Sequence, residues 1–421
     1  MEIRKVPVSE INPSFFNPRL DLKPGDPAYE KLKRSIKEFG YIDPIIWNPK
    51  TGNLVGGHQR FKVLVEQGMK EVEVSVVNLS PEKEKALNLA LNKIGEGSWD
   101  NVKLASLLEE LEQLPDFDVG LTGFESPEIS SLFDHYLSHG GEDDFDEGID
   151  HSKEAITQLG DVVNVGCHKL LCADVTNLEQ VKTLMGDERA SMIFSDPPYL
   201  AKYVPGNRPN PKKRKAHKGE MIQNDSMPQE EYEKFLSEAL KNQIAQLLPG
   251  SALYIWNGFV QFAPMIEILK GLNVHVSNVI SWIKPSICLS FSDYNFRSEF
   301  CVYGYLKGEG KHRWFGPASE ENVWEFPRAN QRELIHQNQK PTELAKRALV
   351  NSSIRGNIIL DGFLGSGSTM VACEVMKRRC FGVEIEPHYC DQIIYRMLKI
   401  IDEHDVDKEV LEKYKGVRND Q

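Results

Sequence analysis

Paired cysteines, long apolar runs and an excess of positive charge are all missing from this sequence. Seven cysteines in 421 residues are an odd number. Cys167, Cys172, Cys288, Cys301, Cys373, Cys380 and Cys390 lack the paired spacing of a zinc site and mostly fall in apolar patterns. They read as reduced core residues of a cytoplasmic protein rather than disulfides or metal ligands. No apolar stretch is long enough to span a bilayer, and Met1-Glu2-Ile3-Arg4 does not open a signal peptide, so no membrane role is expected. The formal net charge of −12 argues against a polyanionic partner until its distribution is considered. Residues 1–150 hold 28 acids against 16 bases, whereas 151–421 hold 34 of each. The acidity therefore belongs to the front of the chain. A hydrophobic content of 40% and a charged content of 27% are globular values, and the length allows two or three domains.

Two patterns carry chemistry. Met192-Ile193-Phe194 reads as a buried strand, and Asp196-Pro197-Pro198-Tyr199 must end it, because two prolines cannot extend a central strand. This sets a carboxylate, rigid carbonyls and an aromatic ring at the edge where open α/β sheets bind ligands. Such a set suits a flat base with an exocyclic amino group. The second pattern is a strand, Asn357–Asp361, then Gly362-Phe363-Leu364-Gly365-Ser366-Gly367-Ser368-Thr369, a helical pattern, and a strand, Phe381–Val383, ending at Glu384. Strand, glycine loop, helix, strand and terminal acid make a mononucleotide-binding half, with the acid 19 residues after Gly365, near the spacing for gripping ribose hydroxyls. Met370 stands where a dinucleotide fingerprint wants its third glycine, and no lysine follows Gly367 as a phosphate loop requires. A nucleoside without a pyrophosphate remains.

The Asp196–Tyr199 tetrapeptide resembles the catalytic motif of amino-methylating DNA methyltransferases. The glycine loop resembles their Asp-Pro-Phe-x-Gly-Ser-Gly-Thr motif, with Gly362 for the usual proline and Ser368 for a usual threonine. His336-Gln337-Asn338-Gln339-Lys340-Pro341 resembles the His-Pro-x-Gln-Lys-Pro segment beside the family's cofactor loop, with Gln337 for the proline. Thr342 is expected to cap the helix that follows. Catalytic motif first and cofactor loop last resembles the permuted β group, over roughly residues 157–400. The resemblance implies S-adenosylmethionine as cofactor, held by Lys340, Asp361, Phe363, Gly365, Ser366, Gly367, Ser368, Thr369 and Glu384. Asp174, at the end of the apolar run Leu170–Ala173, is the candidate adenine contact; a turn cap is the other reading. The implied fold is α/β, a Rossmann-like methyltransferase domain with a mainly parallel seven-stranded sheet.

The implied reaction is methyl transfer to an amino group of a base flipped out of duplex DNA. Asp196 and the Pro197 carbonyl would accept its N–H bonds, Pro198 would stiffen the turn, and Tyr199 would stack on its face. No metal or covalent nucleophile is required. Aspartate at the first motif position resembles adenine-N6 members; cytosine N4 is the runner-up. Lys202, Arg208, Lys212, Lys213, Arg214 and Lys215, in a proline-interrupted segment, are expected to grip the phosphate backbone, with Arg313 a candidate reader between the last catalytic-half strand and Lys340.

Residues 1–95 form another unit. A helix is expected over 28–39 with a stop at Gly40, and a strand over 44–47. Leu54-Val55-Gly56-Gly57-His58-Gln59-Arg60 then passes through a glycine turn into a helix, where Gly56, Gly57, His58 and Arg60 form a candidate phosphate site. This layout resembles the ParB/sulfiredoxin-like α/β N-terminal domain, with Gln59 where ParB proteins carry arginine; it implies nucleotide or DNA docking, with a purely structural domain as the alternative. Residues 96–139 read as a helical connector, its Leu104, Leu107, Leu108 and Leu111 stripe as packing. An acidic linker over 140–150, the methyltransferase domain over 151–405 and a tail over 406–421 complete the chain. Fusion of this kind looks like orphan or restriction-modification methyltransferases of phages and mobile elements. A non-catalytic regulator working through the front module, an RNA methyltransferase and a homodimer stay open.

Overall fold

The computed structural model describes residues 2–94, 99–114, 117–136, 154–199, 227–288, 293–309, 312–326 and 340–414. It divides into two compact units, 1–139 and 140–421. No helix among the described residues is long and apolar enough to cross a membrane.

The first unit carries β1 (Glu2–Pro7), β2 (Asn12–Pro13), α1 (Pro27–Phe39), β3 (Ile45–Asn48), β4 (Asn53–Gly56), α2 (His58–Glu66), β5 (Glu71–Val76), α3 (Pro81–Ile94), α4 (Asn101–Glu112) and α5 (Ser126–Tyr136). Its sheet runs β1-β5-β3-β4-β2 over a core of Val6, Ile45, Leu54, Phe61, Leu64, Val72 and Val74. Proline at the start of α1 and Gly40 at its end, with φ 80°, set that helix's limits by backbone preference alone. Buried Glu84 of α3 takes hydrogen bonds from Asn48 Nδ2, Thr51 Oγ1 and Asn53 Nδ2, which pins α3 to the β3–β4 turn. The leucine stripe of α4 packs with Leu89 of α3 and with Ile129 and Phe133 of α5. The expected connector is thus a small helical layer sharing a core with α3.

The second unit contains β6 (Val162–Val165), β7 (His168–Cys172), α6 (Leu178–Met185), β8 (Ala190–Ser195), α7 (Gln229–Ile244), β9 (Leu247–Asn257), α8 (Phe262–Gly271), β10 (Val274–Cys288), β11 (Phe296–Leu306), β12 (Val323–Glu325), α9 (Thr342–Ser352), β13 (Ile358–Asp361), α10 (Ser368–Val375), β14 (Arg379–Glu384), α11 (Pro387–Ile400) and α12 (Lys408–Tyr414). Nine strands order as β12-β10-β11-β9-β8-β13-β14-β7-β6. The central five, β9 to β7, are all parallel, so their C-terminal ends share one edge. All six residues of β8 are buried, as befits a strand covered on both faces. One face packs α9, α10 and α11, and the other α6, α7 and α8. Since α7 follows β8 onto one face and α10 follows β13 onto the other, the β8/β13 boundary is the topological switch point, where such sheets bind ligands.

Three expectations are corrected. The sheet has nine strands rather than seven: β6 turns back antiparallel on β7 through Gly166, at φ 59°, and β12 adds to β10. The expected tail contains α12, whose buried Tyr414 bonds Thr157 Oγ1 at 2.7 Å. Thr342 does not cap α9: Pro341 holds that position without a side-chain bond, and Thr342 Oγ1 turns to Glu343.

Candidate active site

Burial along β8 delivers Asp196 to the C-terminal edge at the switch point. Ser195 Oγ, at the last position of β8, donates to Asp361 Oδ1 at 2.9 Å, so the two sequence motifs are tied across adjoining strands. Tyr232 of α7 donates to the Pro198 carbonyl at 2.6 Å, which fixes the turn and uses that acceptor. Tyr199 OH donates to Asp196 Oδ1. Its ring lies against Gly258, where a Cβ would sit 3.4 Å from Tyr199 Cβ.

Buried Lys340 reaches into the same cluster. Its Nζ pairs with Asp196 Oδ2, donates to Tyr199 OH at 2.8 Å and lies 3.4 Å from Glu299 Oε2. Glu299 projects from β11 and pairs also with Lys284 of β10. Burial alone would raise the Glu299 pKa, but Lys340 and Lys284 hold it below the ordinary carboxylate value. Burial would lower the Lys340 pKa, but Asp196 and Glu299 hold it above the ordinary lysine value. Burial, with Asp196 beside it, pushes the Tyr199 phenol well up, so that hydroxyl stays protonated and donates.

The glycine loop is held bond by bond. Gly362 N–H donates to Gln243 Oε1 at 3.0 Å and Ser195 Oγ at 3.2 Å. A Cβ there would lie 2.4 Å from the Gln243 amide carbon. Glycine instead of proline therefore does not loosen this loop; it supplies an N–H that proline lacks and room for the glutamine that receives it. Phe363 N–H bonds Asp361 Oδ1 at 3.0 Å and Gly365 N–H bonds Glu384 Oε2 at 2.8 Å. Gly365 and Gly367 have φ of 54° and 81°, a region that favours glycine, and Gly367 stands immediately before α10, which begins at Ser368. Ser366 gives its carbonyl to Arg396, and the Thr369 side chain bonds Asp361. Burial raises Asp361 to about 6 and Glu384 to about 7, partly offset by hydrogen bonds to each.

Beside Glu384, a pocket of about 370 Å³ is lined by Leu159, Ala173, Asp174, Gln180, Ile385, Glu386 and Pro387. Asp174 meets the turn-cap reading made of it. It lines this pocket, and its Oδ1 accepts from Thr176 N–H at 2.9 Å and Thr176 Oγ1 at 2.8 Å, a turn cap. Apolar walls with two carboxylates and no lysine or arginine fit a nucleoside and disfavour a polyphosphate. S-adenosylmethionine satisfies that donor set.

Lys340, expected at the cofactor, pairs with Asp196 and lies one residue before Pro341, the residue that precedes α9. Arg313 lies at the opposite end of the sheet: its N–H bonds the Gly250 carbonyl at 3.1 Å, seven residues before the end of β9, roughly 23 Å away at 3.3 Å per residue. That places it away from the Asp196 edge. Lys202, Arg208, Lys212, Lys213, Arg214 and Lys215 lie outside the described residues, as do His336–Gln339 and the acidic stretch 140–150. Sequence reasoning missed Ser195, Gln243, Glu299 and Lys284. Only Ser195, being adjacent to Asp196, carried a signal.

In the first unit, Gly57 has φ 87° at the start of α2, and Arg60 pairs with Asp43. A Cβ at Gly57 would lie 2.8 Å from Ile45 Cγ2 and 3.1 Å from the Arg60 guanidinium. Burial lowers His58 to about 4, so it is neutral at pH 7. Elsewhere Cys167, His168 and Glu374 gather as metal ligands would. However, His168 Nδ1 accepts the Cys380 N–H at 2.9 Å, so its Nε2 carries the proton and donates to Glu374 at 3.0 Å. The trio is a strut between β7, β14 and α10.

Fold and site together define a doubly wound α/β group-transfer enzyme that sets a nucleoside cofactor beside an Asp-Pro-Pro-Tyr acceptor edge. Residues 190–395 match the DNA methylase family of N6/N4 enzymes, 1–93 match the ParB N-terminal domain and 102–159 the ParB-methyltransferase HTH domain. The type II methyltransferase M2.MboI of Moraxella bovis is 25% identical over 218 residues, 49% of this chain and 79% of that protein. The type II methyltransferase M.HpaI of Haemophilus parainfluenzae is 24% identical over 254 residues, 54% and 74%. Among solved structures, the M1.HpyAVI–SAM complex aligns over 54% of this chain and 98% of its own, with 19% identity and a TM-score of 0.42.

Proposed function

We propose that the protein methylates the N6 amino group of adenine in DNA, with S-adenosylmethionine as methyl donor. The observation that carries this is the Ser195–Asp361 bond, which sets the amino-acceptor carboxylate and the cofactor loop side by side. The cofactor supplies an electrophilic methyl group on a sulfonium. Glu384 and the Gly365 backbone would hold its ribose and Asp174 its adenine.

The chain's own residues supply position. A target base in a duplex must be flipped out, at a cost of a few kcal/mol. Tyr199 offers a stacking face, worth roughly 1–3 kcal/mol. The amino nitrogen is a poor nucleophile while its lone pair is delocalised into the ring. Asp196 Oδ1 and the Pro197 carbonyl accept its two N–H bonds and favour a pyramidal nitrogen as it attacks in line. Lys340 pairs with Asp196 Oδ2 and holds the carboxylate in place at the edge. In the first unit, the Gly57–Arg60 helix start is read as a phosphate-docking site.

The test is nucleoside mass spectrometry on unmethylated DNA incubated with the protein and S-adenosylmethionine. N6-methyladenine is the expected product. N4-methylcytosine would keep the site chemistry and overturn the base assignment, and an unmodified product pool would overturn both.

Glu384 gives the site a pH dependence. With its carboxyl near 7 in the folded protein, it is mostly protonated at pH 6 and mostly ionised at pH 8. Calorimetric affinity for S-adenosylmethionine should therefore rise roughly tenfold from pH 6 to 8, and Glu384→Gln should flatten the slope. The effect on folding runs the other way. A carboxyl raised above its ordinary 4.5 contributes stability at low pH that is lost as pH climbs through 7, so the ligand-free melting temperature should fall over the range in which affinity rises.

A further inference from the structure

The end of β9 carries a feature that acceptor and cofactor chemistry do not use. Asn257 closes the strand, and the following turn is clamped from both sides. Gly258 N–H bonds Asn257 Oδ1 at 2.8 Å, Asn257 Nδ2 bonds the Gln261 carbonyl at 3.2 Å, and the Gln261 and Gln229 amides bond each other at 2.8 and 3.0 Å. Gln261 is buried, yet the two residues between these clamps face solvent: Phe259 is 68% and Val260 74% exposed. A fixed turn that holds two adjacent large apolar side chains outward has no folding rationale.

Its position gives it one. Gly258 is the residue on which the Tyr199 ring rests, so Phe259 begins one residue from the proposed stacking face. The surrounding rim is apolar as well. The register Phe300↔Asn257 carries β11 past the end of β9, where Phe296 is 47% and Tyr294 88% exposed, with Ile287 of β10 at 53%. Among the described residues of the second unit, these five are most of the large apolar side chains exposed; only Leu159, Val162 and Val323 lie elsewhere.

We propose that Phe259 and Val260 form a wedge that enters the DNA stack and fills the place vacated by the extruded target base. The proposal rests on the base-flipping reading of the site. An extruded base leaves two neighbours unstacked around a gap, which water fills poorly and which the base itself tends to reoccupy. An apolar side chain inserted there recovers contact with the neighbouring base faces and slows the return. Charged residues at this position would leave the gap open; Phe and Val match its chemistry.

The test uses the full chain. The methylated site is first mapped with the wild-type protein on unmethylated DNA. Oligonucleotide duplexes of that site then carry the target base either paired or opposite a mismatch, which makes extrusion easy. Single-turnover methylation is compared for wild type, Phe259→Ala/Val260→Ala and the surface control Val323→Ala. The double variant should lose roughly tenfold to a hundredfold on the paired duplex and stay within about threefold of wild type on the mismatched one. Its cofactor affinity and melting temperature should match the control's. Unchanged rates on the paired duplex would overturn the wedge and leave the rim to a protein partner, and equal losses on both duplexes would overturn it in favour of a structural role. If the wild-type protein methylates no DNA, the flipping reading fails in that lane alone, and the wedge with it.

Discussion

Asp196→Ala should abolish most methyl transfer while leaving cofactor binding intact. A polar group aimed at the reacting centre is worth about 10²–10³ in rate, and Asp196 is the side-chain acceptor at the β8 edge. The cofactor loop should survive, because Asp361 keeps Ser195 Oγ, Phe363 N–H and the Thr369 side chain as partners, and Glu384 keeps Gly365 N–H. The informative comparison is Asp196→Asn. Its amide oxygen still accepts one N–H, but its NH2 group faces Lys340, which cannot accept. It should fall between wild type and alanine in rate, with a thermal shift from S-adenosylmethionine like wild type's. An alanine variant within about tenfold of wild type would remove Asp196 from the chemistry. A variant that no longer responds to cofactor would mean that the two motifs fold as one unit.

The mononucleotide half was legible because each of its parts is a local backbone demand. Gly365 and Gly367 need positive φ, β13 and β14 are β-branched or apolar runs, and Glu384 falls where the second strand ends. The Asp-Pro-Pro-Tyr edge was legible for the same reason, since proline stops a strand wherever it stands. The Lys340–Asp196 pair was not legible because its members lie 144 positions apart in the chain, and nothing in a sequence reports a side chain's reach across a sheet edge. Glu299 and Lys284 were missed because they look like ordinary alternating polar residues of two antiparallel strands. Only the β10–β11 register brings them together, with Trp282 opposite Glu299 and Ile283 opposite Ser298.

The Gly362 substitution shows the converse. The family motif records only the loop, so what a glycine does there is not written in it. Gln243, which accepts the freed N–H, comes from α7, on the far side of the switch point. The position of Arg313 was hidden in a similar way: its place in the stretch between β11 and Lys340 suggested DNA, whereas the chain there has returned along β11 to the other end of the sheet. The edge strands β6 and β12 were unreadable because each is three or four residues long and is defined by pairing alone.

Lys340→Met should be the most destabilising single change at this edge. Methionine fills the same volume and leaves Asp196 and Glu299 as two anions, with Lys284 paired to Glu299 as counter-charge. Removing one partner of a buried pair costs about 3–5 kcal/mol because the other charge is stranded; Asp196 and Glu299 keep 34% and 24% of their side-chain surface exposed, so the loss here should fall below that range. The loss should depend on pH in a defined direction. In the wild type, Glu299 is held below its ordinary 4.5, so it contributes stability above that value which fades as pH falls through the folded pKa. The variant forfeits that contribution at neutral pH and has little of it left to lose in acid. The gap between the two melting temperatures should therefore be widest near pH 7 and narrow below about pH 4.5. Adding Glu299→Gln should restore part of the stability by removing one stranded charge, without restoring methylation, since Asp196 would still lack the cation that pairs with it and positions it. A Lys340→Met protein as stable as wild type at pH 7, or a gap that widens in acid, would show that Lys340 is not what balances this cluster.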